Sequence, residues 1–88
     1  MPERRVTVAS KVGLHARPAA LVAKAAAEQP VQVSIAKDGG PPVPAGSMLN
    51  LMTLAAAHGD EVVISAEGEG AQAAVDAIAD LVASDLDA

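Results

Sequence analysis

The chain has 88 residues, six Lys+Arg against eleven Asp+Glu, and a net charge of −5. That length suits a single domain, residues 1–88, with one core and no cleft closed between lobes. An acidic chain without Phe, Trp or Tyr lacks the charge and the stacking faces for nucleic acid, and zero Cys excludes disulfides, iron–sulfur ligation and thiolate metal sites.

Residues 5–9, Arg-Val-Thr-Val-Ala, alternate polar and apolar and read as a half-buried strand. Ser10 to Gly13 reads as a loop. A helix follows from Ala16 to Glu28, with Pro18, Leu21, Val22, Ala25 and Ala26 at helical spacing. Pro18 fits only the first turn, where a missing N–H breaks no internal bond, and Pro30 stops the helix.

Residues 31–37 alternate strictly and form the clearest strand. Asp38-Gly39-Gly40 is turn chemistry, and the prolines of 41–44 allow at most a short edge strand. Ser47 caps a short helix over 48–54, a segment that Gly59 terminates. Residues 61–67 form a third strong strand, and Gly68-Glu69-Gly70 turns the chain. A last helix runs from about Ala71 to Leu86, with Ala71, Ala74, Val75, Ile78 and Val82 as its apolar stripe. One sheet with helices on one face covers every stripe, so the expected fold is an α+β two-layer domain.

The N-terminal segment shows no signal-peptide pattern, and no apolar run reaches bilayer length. The expectation is a cytoplasmic protein with no direct membrane insertion. Two His without supporting carboxylates at fixed spacing imply no metal, and no cofactor motif is present. His58 reads as a favourable cation near the end of the short helix, and the acidic residues of the last helix as a solvated face.

Gly13-Leu14-His15-Ala16-Arg17-Pro18 is the constellation with chemistry. A loop entering a helix exposes unpaired N–H groups, here those of Ala16 and Arg17, and a partial positive charge. That charge disfavours imidazolium, so the neutral, nucleophilic form of His15 is expected to be the more populated near pH 7. A phosphoryl group on the imidazole would lie over the N–H groups, with Arg17 adding fixed positive charge. The bland alternative is a solvated cap at His15 and a surface charge at Arg17. The six residues together are more specific than either alone.

Residues 13–19, Gly-Leu-His-Ala-Arg-Pro-Ala, resemble the active-site signature of the HPr phosphocarrier proteins of the bacterial phosphoenolpyruvate:sugar phosphotransferase system. Residues 47–54, Ser-Met-Leu-Asn-Leu-Met-Thr-Leu, resemble that family's second signature, around its regulatory serine. Residues 64–68 and the element order agree, so the resemblance covers essentially the whole chain. It implies an open-faced sandwich: a four-stranded antiparallel sheet with three helices on one face. It implies that His15 accepts a phosphoryl group on Nδ1 from phosphorylated Enzyme I and passes it to a sugar-specific Enzyme IIA, with Arg17 steadying the phosphate. It implies a carrier that needs partner enzymes for catalysis, and a site that must stay exposed suits a monomer.

For Ser47 the resemblance implies regulatory phosphorylation by a serine kinase, reversed by a phosphatase, although Gly46 stands where a lysine commonly precedes that serine. The cap role alone also accounts for a serine there. A regulatory binding module switched at Ser47 is therefore the alternative function. A third reading, a small-molecule-binding domain, is disfavoured by the His–Arg signature. The resemblance further implies a partner surface from the first and second helices: Ala20 and Lys24, with Met48, Leu51 and Met52. Exposure is expected for Met48, while Leu51 and Met52 could equally be core. Many relatives carry a second basic residue where this chain has Ala27.

Overall fold

A computed structural model describes residues 2–9, 13, 16–54 and 56–84. The elements are β1 (Glu3–Thr7), α1 (Ala16–Ala27), β2 (Val33–Lys37), β3 (Val43–Pro44), α2 (Met48–Thr53), β4 (Glu61–Ala66) and α3 (Ala71–Val82). The four strands form one antiparallel sheet in the order β1-β4-β2-β3. β4 is the last strand in the chain yet lies inside the sheet, between the first two.

Composition explains which strands lie at the edges. β1 carries Glu3, Arg4 and Arg5, and β3 is flanked by prolines that cannot donate to a ladder. The interior strands β4 and β2 supply Val62, Ile64, Val33 and Ile35, all buried. Alternation sends these side chains to the helix layer and Ser34, Ala36, Val63 and Ser65 to the other face. The helices close the core with Val22, Leu51, Val75, Ile78 and Val82. α3 covers the sheet, while α1 packs against α2 and α3. The two-layer α+β expectation therefore holds.

Several boundaries differ from the sequence reading. β1 runs over Glu3–Thr7 rather than 5–9, because its ladder with β4 extends from Glu3 opposite Ser65 to Thr7 opposite Glu61. Arg4 donates to Asp80 at 3.0 Å and Asp76 at 3.5 Å on α3, and Arg5 donates to Asp38 at 2.7 Å. These bonds raise both guanidinium pKa values above the ordinary arginine value. The pairs are exposed, so each contributes little to stability. Asp76 and Asp80, read as merely solvated, thus tie β1 to α3.

α2 ends at Thr53, well before Gly59. The Thr53 hydroxyl donates back to the carbonyls of Leu49 and Asn50, both at 3.0 Å. His58 lies in the turn beyond, four residues past the C-cap at Leu54. α3 reaches its C-cap at Ala83, and Leu86 lies outside the described residues.

Candidate functional site

His15 lies outside the described residues, but the positions on either side of it are described. On one side is Gly13, buried, with φ +71°. An added Cβ there would stand 2.4 Å from the Ala56 carbonyl oxygen and 2.9 Å from Ala57 Cα. Gly13 thus rests directly on the backbone that follows α2, and only glycine permits the approach. On the other side α1 begins at Ala16. Ala16 and Arg17 occupy its first turn, where backbone N–H groups have no acceptor within the helix. Pro18 comes next and contributes no donor; its ring is buried and anchors the helix start.

Arg17 is exposed, as are Ala20 and Lys24 further along α1. Leu21, placed on the buried stripe by spacing, is instead 41% exposed. The buried face of α1 is Pro18, Ala19, Val22, Ala23 and Ala26. An alanine-rich helix has little hydrophobic contrast between faces, so its rotation is set by its neighbours.

α2 repeats this pattern. Met48 and Met52 are about two-fifths exposed and Leu49 is 72% exposed. Leu51 is fully buried, which removes it from the partner surface proposed for it. Its i, i+3 relation to Met48 put it on the same stripe, but a six-residue helix crossing the layer needs one inward anchor, and Leu51 fills that role. Leu21 and Leu49 join this surface without being expected there from the sequence. For Leu49 a signal existed: four apolar residues in a six-residue helix exceed what one face can bury.

Charge is segregated as well. Neither α1 nor α2 contains an acidic residue, and Arg17 and Lys24 are their only charges. A chain of net charge −5 therefore presents two acid-free helices with exposed apolar side chains between and beside the cations. Such a surface suits an acidic protein partner that docks and leaves. The depression lined by Gln32, Ser34, Ser65, Ala66 and Glu67 lies instead on the sheet.

Ser47 is the N-cap of α2, with φ −109° and ψ 114°, and its Oγ accepts from the Asn50 N–H at 3.3 Å. Ser47→Ala is expected to cost about 1 kcal/mol in chemical denaturation. An unchanged midpoint would remove the cap from the account of α2.

Behind the loop, Asp60 closes the turn that follows α2. Its Oδ2 accepts from the Ala57 N–H at 2.9 Å and lies 3.5 Å from Lys37 Nζ. The Ala57 N–H chiefly, and Lys37 secondarily, hold this carboxyl below its ordinary pKa against an opposing effect of burial. The stabilisation is then complete above the unfolded carboxyl pKa of about 3.9 and is lost as pH falls through the lowered folded value. Asp60→Asn should flatten this part of the acid limb in a series of melting temperatures against pH. Superimposable curves would show that the carboxyl contributes nothing to it.

Comparison with known proteins agrees with this arrangement. The family model described as the PTS HPr component phosphorylation site matches residues 2–84. The chain belongs to the HPr phosphocarrier family. The phosphocarrier protein HPr of Streptomyces coelicolor is 48% identical over 99% of this chain and 94% of its own length. The HPr-like protein Crh of Bacillus subtilis is 40% identical over 98% of this chain and 100% of its own length. Among solved structures, HPr-C-His from Thermoanaerobacter tengcongensis superposes with a TM-score of 0.90 at 36% identity, covering 100% of this chain and 98% of that one. A phosphocarrier of this family is a carrier rather than a catalyst.

Proposed function

We propose that the chain accepts a phosphoryl group on His15 Nδ1 from phosphorylated Enzyme I and delivers it to Enzyme IIA. The bond from phosphorus to the donor breaks as the bond to Nδ1 forms, and the reverse exchange on Enzyme IIA regenerates free imidazole. The observation that carries this reading is the pair of helices α1 and α2, which hold no acidic residue and expose Arg17 and Lys24 together with apolar side chains, α1 opening on unpaired first-turn N–H groups. The cation and the helix end favour a phosphoryl group there. Met48, Leu49 and Met52, with Ala20, Leu21 and Lys24, form the docking surface. Flexible methionines suit a face that must accept two partners in turn. The remaining catalytic groups come from the partners, because a phosphoryl transfer also needs an in-line donor and charge neutralisation.

Intact mass after incubation with phosphoenolpyruvate and Enzyme I tests this. The expected product carries one phosphoryl group that is lost in acid and kept in base. An acid-stable adduct removed by Ser47→Ala would instead favour a regulatory module. That second reading draws on the position of Ser47 at the head of α2 and on the likeness to Crh. Phosphate on Ser47 would be tolerated by the helix N-terminus and would repel an acidic partner.

A further inference from the structure

Sulfur is unevenly placed in this chain. Its only sulfur atoms belong to 3 methionines, and it has no Cys, Trp or Tyr. Among the described residues the buried core is Val, Ala, Ile and Leu with Pro18, all inert to mild oxidants, and holds no methionine. Met48 and Met52 stand instead one turn apart on α2, 40% and 39% exposed. Leu51 is the buried residue of that helix, so its inward anchor carries no sulfur. Met1 lies outside the described residues. A mild oxidant therefore meets thioethers on the face of α2 that carries the exposed apolar patch, and saturated hydrocarbon beneath it.

We propose that Met48 and Met52 form a reversible oxidation site, at which peroxide weakens the docking of partner proteins. The Sδ lone pair attacks one peroxide oxygen, and the S–O bond forms as the O–O bond breaks. The hydroxide released takes the proton of the transferred oxygen and departs as water. Sulfur loses two electrons and the peroxide gains them. A thiol-driven sulfoxide reductase reverses the step, the oxygen leaving as water and the thiols as a disulfide. The proposal rests on α1 and α2 as the docking surface of a phosphocarrier and deepens that reading. A sulfoxide replaces a flexible apolar contact with a polar S–O group, which a partner must desolvate to cover it. Both side chains already reach solvent, so the free chain can keep the new oxygen in water and its fold intact. The loss then falls on binding rather than on the phosphoryl step.

The test treats the full chain with dilute hydrogen peroxide and locates the added oxygen by peptide mass mapping. Phosphoryl uptake from Enzyme I is then measured against the concentration of the chain. One oxygen is expected at each of Met48 and Met52, with the cooperative unfolding transition retained. KM for the chain should rise about tenfold with kcat little changed. Sulfoxide reductases of both stereospecificities should restore KM. In the chain carrying Met48→Leu and Met52→Leu, peroxide should leave KM at that variant's own untreated value. An unchanged KM with both sulfoxides formed would overturn the proposal. So would a loss that the reductases do not reverse, an equal loss in the double variant, or a treated chain that no longer unfolds cooperatively. An untreated chain that takes up no acid-labile phosphoryl group would sink the carrier reading. Binding of treated and untreated chain to Enzyme I, without phosphoenolpyruvate, would then decide the oxidation site by itself.

Discussion

His15→Ala is expected to abolish the acid-labile adduct, and Arg17→Ala to slow its formation on the order of 10²-fold. The first effect is a loss of the proposed nucleophile itself. His58 remains in that variant, in the turn beyond α2, so the loss maps to His15. The second effect follows from charge. The moving phosphoryl group carries negative charge spread over its oxygens, and removing one fixed donor aimed at such charge typically costs 10²–10³-fold. Arg17 is exposed in the free chain, so the lower end of that range applies until a partner covers it. Arg17→Lys should recover only part of the rate, because an ammonium lacks the planar fork of the guanidinium. Rapid-quench measurement with labelled phosphoenolpyruvate and Enzyme I checks all three. An adduct of unchanged yield in His15→Ala would place the acceptor elsewhere.

Gly13→Ala should destabilise the fold by about 3 kcal/mol. Two costs combine. The residue holds φ +71°, which alanine adopts only with strain. Its Cβ would also meet the Ala56 carbonyl oxygen at 2.4 Å, and that carbonyl is backbone, so it yields only if the turn moves. For a domain of this length the loss corresponds to a fall in melting temperature of roughly 12–24 °C. The same variant should slow phosphoryl uptake, because relief of the clash shifts the chain two residues before His15. A melting temperature within a degree or two of wild type would mean that Gly13 does not rest on Ala56.

Short-range physics made much of this molecule legible before any fold was known. Pro18 placed the start of α1, since a proline that early loses no helical bond. Ser47 announced the head of α2, and the structure places its Oγ on the Asn50 N–H. The alternation of residues 31–37 and the β-branched run within 61–67 marked the two interior strands. The motif at 13–19 is likewise local, because a loop, a histidine, an arginine and a helix end lie within seven residues.

What depended on partners far away in the chain was decided only by packing. No local pattern places β4 between β1 and β2; that order comes from ladders joining residues about sixty and thirty apart. Arg4 on β1 finds Asp80 at a separation of 76 residues, and nothing in either segment announces the other. The rotation of α1 and α2 was equally open, because alanine, leucine and methionine suit either environment. The neighbouring elements then buried Val22 and Leu51 and left Leu21, Leu49 and Met48 at the surface. Capping, turns and strand periodicity act over a few residues and can be read along the chain, whereas burial and pairing depend on which other segment fills the space, which only the assembled core specifies.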